Sequence, residues 1–335
     1  MTQQDNLRLV STEVGCLWTQ YMNDSMAICV LQYFLNKVKD QEIRPEIEFA
    51  FDISQKHIES ITQIFNNEGI PIPIGFSDSD VNIDAPPLYV DTLYLRYLSH
   101  MAKIALSSYS LSSAIAVRPD VRKFYSACTK SALELNERVI QLQLSKGIFI
   151  RAPYIPVPKE VEFVQSPSFA GSIFGENRPL NALSLMSIFP NIQNSAMSRA
   201  LLIGFSQVAQ SGDVRDFLIR GQDMAKKHIT VLSTLLKDSD LPVPGTWESE
   251  VTDSTIAPFS DKLMMQHVVA IVGVGVANFA VGMSAETRID VAATYTRIMA
   301  EIASYGEDGM HLMIKNGWLE QPPQAADRKE LAMSR

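Results

Sequence analysis

Histidine and cysteine are scarce in this chain of 335 residues, with five of the first and three of the second. No Glu-x-x-His occurs in it, no Gly-x-Ser-x-Gly elbow, and no phosphate-binding glycine loop. These absences argue against nucleophile-elbow hydrolysis and P-loop nucleotide chemistry. Clusters of Lys and Arg are missing too, and the net charge is −8. Nucleic acid and anionic membrane surfaces are therefore not expected partners, because phosphates are held by grouped cations. The amino terminus lacks the positive start and apolar run of a signal peptide, so a cytoplasmic setting is expected. The most apolar run, residues 268–282, is too short to span a bilayer, which takes about 20 residues, and Asn278 interrupts it. It is expected to be a buried bundle helix.

The cysteines all fall in the first half. Cys16 and Cys29 share one predicted helix and lie about 20 Å apart, too far for a disulfide. Cys128 has Ile298 at its counterpart position in the second half, which gives no sign of a required bridge. All three read as reduced packing residues.

What the sequence does contain is itself, twice. His57 falls on His228 (228 − 57 = 171), and with it Ile43, Arg44, Asp52 and Lys56 fall on Val214, Arg215, Asp223 and Lys227. Further on, Asp91, Asp120, Tyr125, Gly147 and Pro153 meet Asp261, Asp290, Tyr295, Gly317 and Pro323 at an offset of 170. A fixed long period means two copies of one structural unit. A hydrophobic fraction of 46% and a charged fraction of 20% suit two globular domains, each with its own core.

Apolar periodicity predicts helices over 12–38, 44–66 and 91–117, a fourth after the Arg118-Pro119-Asp120 turn with a seam from Val121 to Leu142, then helices over 184–210, 213–237, 260–284 and 287–316. Pro190 implies that the fifth helix either starts there or kinks. Asp91 reads as a helix cap. Within each copy, helices one and two, and three and four, are joined tightly. The second and third are separated by a proline-bearing stretch, 70–88 or 241–258, long enough to travel the length of a bundle. Short link, long crossover, short link is the connectivity of the ferritin-like four-helix bundle. The fold class expected is all-α, two tandem ferritin-like four-helix bundles: 9–150, a connector over 151–180 lying on the bundles, 181–320, and a polar tail over 321–335. The third helices are rich in Ser or Gly, notably Gly273, Gly275 and Gly282, where close packing within a bundle or between the copies is expected.

A ferritin-like bundle raises the question of a di-iron centre, which needs inward Glu residues from all four helices. The third helix of the first copy has no acidic residue between Thr92 and Val117, and the first and third helices of the second copy have none over 177–212 and 262–285. The ordinary site is therefore excluded, and no cofactor is expected. The remaining metal candidates are weak. His57 and His228 sit at the edge of an apolar face with no acid three or four residues away, and read as packing residues. Asp52 with Lys56 and Asp223 with Lys227 have i,i+4 spacing for ion pairs. Glu301, Asp308 and His311 read as a solvated face, as do Glu134 and Glu137.

The Lys-His-Ile of the second helix, the apolar-Pro-apolar-Pro start of the crossover, and the closing turns Lys146-Gly147-Ile148 and Asn316-Gly317-Trp318 resemble an uncharacterised family of spore-forming Bacillus-type bacteria. The resemblance covers about 9–320. It implies two ferritin-like bundles in one chain and, because members carry a spore-coat label, a role in the sporulating cell or the spore. The family offers no catalytic residues to carry over. The function expected is non-enzymatic, through protein partners or self-association; the alternative is a divergent metal- or small-ligand-binding bundle using His57 and His228.

Overall fold

The computed structural model describes residues 7–173, 175 and 177–333 of this chain, and they are predominantly helical. Residues 1–6, where most of the amino-terminal reading falls, and the last two of the expected tail lie outside the described residues. The first copy is built from α1 (Ser11–Lys37), α2 (Arg44–Glu68), α3 (Asp91–Ile115) and α4 (Pro119–Ser145). The second has α5 (Ala182–Val208), α6 (Gly212–Lys237), α7 (Asp261–Ala285) and α8 (Ile289–Lys315), and a short α9 (Arg328–Met333) follows. Phe34 stacks on Tyr94 at one end of the α1–α3 pair, at 4.1 Å between centroids, while Gln20 bonds Tyr109 at the other end. These two helices are thus antiparallel and α2 runs parallel to α3, which is why a long crossover must join them. Two tandem helical bundles with one crossover each is the predicted architecture.

Local chemistry repeats with the fold, though not always as expected. Asp91 does not cap its own helix. It opens α3, and its carboxylate accepts the Lys39 and Asp40 amides at 2.9 and 2.7 Å. Asp261 does the same for Gln210 and Ser211 at 3.0 and 2.7 Å. Each acid therefore closes the turn between the first two helices, whose amides have no partner inside a helix. Pro190 does not start a helix, since α5 begins at Ala182 and runs through it.

Residues of the two copies meet around a pseudo-twofold axis. The crossovers form antiparallel bridges between Val81 and Phe259 and between Tyr89 and Val251. Since 81 + 170 = 251 and 89 + 170 = 259, each bridge is the symmetry mate of the other, as a twofold contact requires. Tyr97 meets its own counterpart, His267, at 3.4 Å, so the axis passes between them. Burial without a neighbouring acid pushes His267 down to about 4. Arg96 pairs with Glu250 at 3.0 Å, and Ser260 with Asp80 at 2.7 Å, across the same junction. Separate cores were expected. Instead one apolar cluster runs unbroken from Tyr33 and Phe34 through Leu201 and Phe205 to Met264, and a smaller one around Leu17, Phe65 and Tyr125 fills the far end of the first bundle. The crossovers carry enough apolar surface to fuse the two interiors.

Two packing expectations are overturned. The connector does not lie with its apolar groups on the bundles: Ile148 and Ile150 pack on the core, but Tyr154, Val157, Val161 and Phe163 are exposed. Nor is α7 buried. It carries no charge from Leu263 to Ala285, yet only 17% of its most apolar 18-residue stretch is buried, and among the described residues it alone is long and apolar enough to cross a membrane. Only its amino-terminal turns, at Leu263 to Val268, enter the junction between copies; beyond them just Phe279 and Gly282 are buried. A Cβ on Gly273 would meet nothing within 4 Å and one on Gly275 would find Ile302 at an ordinary 3.5 Å, so neither glycine is demanded by close packing.

Candidate functional site

α2 is amphipathic, and its inward positions Ala50, Ser54, His57 and Ile61 place one histidine among apolar neighbours. His57 is 6% exposed, and α1 lays Gln20 and Asp24 beside it. The acid that the α2 sequence lacks therefore comes from another helix. His57 Nδ1 donates to Asp24 Oδ2 at 3.1 Å, and Gln20 Nε2 donates to Asp24 at 2.5 Å and to the Tyr109 hydroxyl at 2.9 Å. The Tyr109 and Phe124 rings meet the imidazole edge-on, each at 5.6 Å. This polar island, with contributions from all four helices, sits between the two apolar clusters of the first bundle. Burial pushes the Tyr109 phenol well up, and raises the neighbouring Cys128 thiol as well, with the Asp24 charge adding to both. Neither is poised to ionise. Cys29, donating to the Ser77 carbonyl, is pushed up to about 12 by burial, and all three cysteines are free.

The second copy keeps the histidine and changes its surroundings. Gln20, Asp24 and Tyr109 correspond to Asn191, Ser195 and Phe279 (20 + 171, 24 + 171, 109 + 170), so the inward acid and the phenol are gone. Asn191 Oδ1 is buried without a partner. His228 turns instead to Glu301 of α8 at 3.1 Å, and Glu301 also pairs with Lys227 at 2.7 Å. Burial lowers the His228 pKa, opposed by Glu301; for Glu301, burial pushes up but the Lys227 and His228 hydrogen bonds win and lower it. Glu301 is thus not simply a solvated acid. Lys227 is drawn away from Asp223, and neither Asp52–Lys56 nor Asp223–Lys227 is an ion pair among the described residues. The capping acids show the same exchange across helices. Glu13 accepts the Val117 and Arg118 amides at the α3–α4 turn, whereas Ser184 stands at its counterpart and Glu286, on the turn itself, accepts those of Thr287 and Arg288.

The other metal candidates do not converge. Asp308 pairs with Arg220 at 2.8 Å and His311 is exposed, while Glu301 is committed to His228. No group of three or more His, Cys, Asp or Glu that could hold a metal ion occurs among the described residues. Elemental analysis of protein purified without added metal is expected to find no stoichiometric iron or manganese. A stoichiometric content would overturn this reading of the histidines.

Among curated proteins, none matches this sequence. Among solved structures, a candidate spore coat protein of Bacillus halodurans C-125 is similar at 19% identity and a TM-score of 0.43, over 46% of this chain and 100% of that one. One family model matches the chain twice, over residues 1–161 and 168–331. Its description is Protein of unknown function (DUF3231), and the chain belongs to that family, carrying its domain in two copies.

Proposed function

We propose that this ferritin-like tandem bundle is a non-enzymatic protein that works by association, and that the outer face of α7 joins it to a second copy of itself. The observation that carries this reading is the exposed, charge-free surface of α7. Contiguous apolar surface of this kind marks a contact site in soluble proteins. Gln266, Ala270, Gly273, Ala277, Ala280 and Ser284 recur on it at alternating spacings of four and three, and all are exposed or half-buried. That is the seam of a helix pair. The spacing reads the same in both directions about residue 275, so it suits an antiparallel twofold contact in which Ala270 meets Ala280 and Gly273 meets Ala277 of the other copy.

Small side chains let the axes approach closely. From Gln266 to Ser284 the helix is ~27 Å long. Two such faces, flanked by exposed Val281 and Met283, bury on the order of 1,000 Å2, the lower limit for a specific interface. The net charge of −8 argues against an anionic bilayer as the cover. A place in spore assembly is what the resemblance of the sequence implies for such a protein.

Sedimentation velocity on the full chain tests this. The wild type is expected to be a dimer at tens of micromolar, and Ala277→Arg a monomer of unchanged helicity. A wild-type monomer at that concentration would sink the proposal. Flotation with neutral phosphatidylcholine vesicles that Ala277→Arg abolishes would reassign the face to lipid.

A further inference from the structure

At the junction of the two copies, the same outward face of α3 meets a different fate. Arg96, His100 and Lys103 are the counterparts of Gln266, Ala270 and Gly273 (each 170 residues apart). They line a pocket of about 40 Å3 with Ser99, Gln143 of α4, Gln193 of α5 and Trp247 of the second crossover. On that measure a single water needs about 10–15 Å3, so the space suits roughly three waters or one compact ion. Trp247 is only 5% exposed, and its indole N–H is buried with no partner. A buried donor left unmade costs about 1–3 kcal/mol, which something filling the pocket would recover.

Charge at the pocket is not balanced. Arg96 is spent, since it pairs with Glu250 at 3.0 Å, donates to the Ile148 carbonyl at 3.1 Å and lies over the Trp247 ring at 5.0 Å. Lys103, on the pocket rim, makes no ion pair with any described residue. The His100 ring stands edge-on to Trp247 at 6.0 Å, pushed down to about 3 by burial and by Lys103, so it enters as a neutral imidazole that can donate or accept. The Gln143 and Gln193 amide nitrogens already serve the Leu95 and Ile150 carbonyls. An unspent cation and an unspent buried N–H thus remain on two of the side chains that line this space.

We propose that this pocket is a binding site for a small oxyanion of phosphate or carboxylate size, held by Lys103 and the Trp247 N–H. In the duplicated location Trp247 and Lys103 correspond to Phe76 and Gly273 (247 − 171, 103 + 170), so this pair of donors, one from each copy, has no equivalent at the symmetry-related location. The site does not depend on self-association through α7.

Titration calorimetry of the full chain with inorganic phosphate, and separately with acetate, tests the assignment. One saturable site for either anion below ~10 mM is expected, with a matching rise in melting temperature. Phosphate alone would identify a tetrahedral ligand and acetate alone a carboxylate. Lys103→Met is expected to weaken binding at least about tenfold, or about 1.4 kcal/mol. Trp247→Phe, which keeps the ring and removes the N–H, is expected to weaken it severalfold. Should Trp247→Phe fold poorly, Lys103→Gln on the pocket rim serves as the second variant. Absence of saturable binding by both anions, or binding indifferent to Lys103 and Trp247, would leave the pocket to water and overturn the proposal.

Discussion

Asp24→Ala is expected to destabilise the chain by about 2–4 kcal/mol, because it leaves two buried donors without their acceptor and each costs about 1–3 kcal/mol. Asp24 is 3% exposed and receives both Gln20 and His57. Water cannot replace it at that depth. The comparison that gives the experiment its force is Glu301→Ala in the other copy. Glu301 also accepts from a histidine, but its side chain is 27% exposed and its second partner, Lys227, is more exposed still. Solvent takes over the Lys227 contact and reaches the His228 ring from the side Glu301 leaves open, so a smaller loss of about 1 kcal/mol is expected. Urea denaturation of the two variants beside the wild type reads the difference directly. Equal losses would mean that Asp24 is far better hydrated than its burial implies.

Gly204→Ala is expected to cost about 1–3 kcal/mol, the usual penalty for forcing an extra carbon into a packed interior. A Cβ there would stand 2.5–2.7 Å from three atoms of the Tyr89 ring edge. That ring is fully buried and pinned, its hydroxyl donating to the Leu201 carbonyl at 2.9 Å. The pseudo-symmetry explains the glycine. Position 204 corresponds to Tyr33 and Tyr89 to Phe259 (33 + 171, 89 + 170). In one half of the junction Tyr33 meets Phe259 edge-on at 5.2 Å; in the other, Tyr89 fills the whole space and position 204 must vanish. Gly273→Ala is the control, since open space surrounds that site. It is expected to be neutral or to stabilise by up to about 1 kcal/mol through helix propensity. A double variant pairing Gly204→Ala with Tyr89→Val is expected to recover part of the loss. Full additivity of the two changes would remove the steric explanation.

Much of this protein was legible without coordinates. The duplication, the eight bundle helices and the placement of the crossovers follow from residue spacing alone, because helical periodicity and proline act locally; the short α9 in the expected polar tail does not. The twofold relation of the copies is implicit in the same repeat. What the sequence could not reveal was which faces are covered. Residues 268–282 look buried by composition, yet most of α7 stays at the surface, since burial depends on whether a neighbour exists and not on how apolar a helix is. Gly275 and Gly204 look alike in sequence, and only the position of Tyr89 makes one of them obligatory.

The histidines teach the same limit. Their recurrence at 57 and 228 signals a shared position, and a search for acids three or four residues away finds none, because a helix interior is completed by other helices. Asp24 reaches His57 from α1 and Glu301 reaches His228 from α8. An exchange of partner between duplicated sites leaves no periodic trace, so sequence determined that the two bundles exist and where their helices run, while tertiary packing alone decided which side chains each bundle encloses.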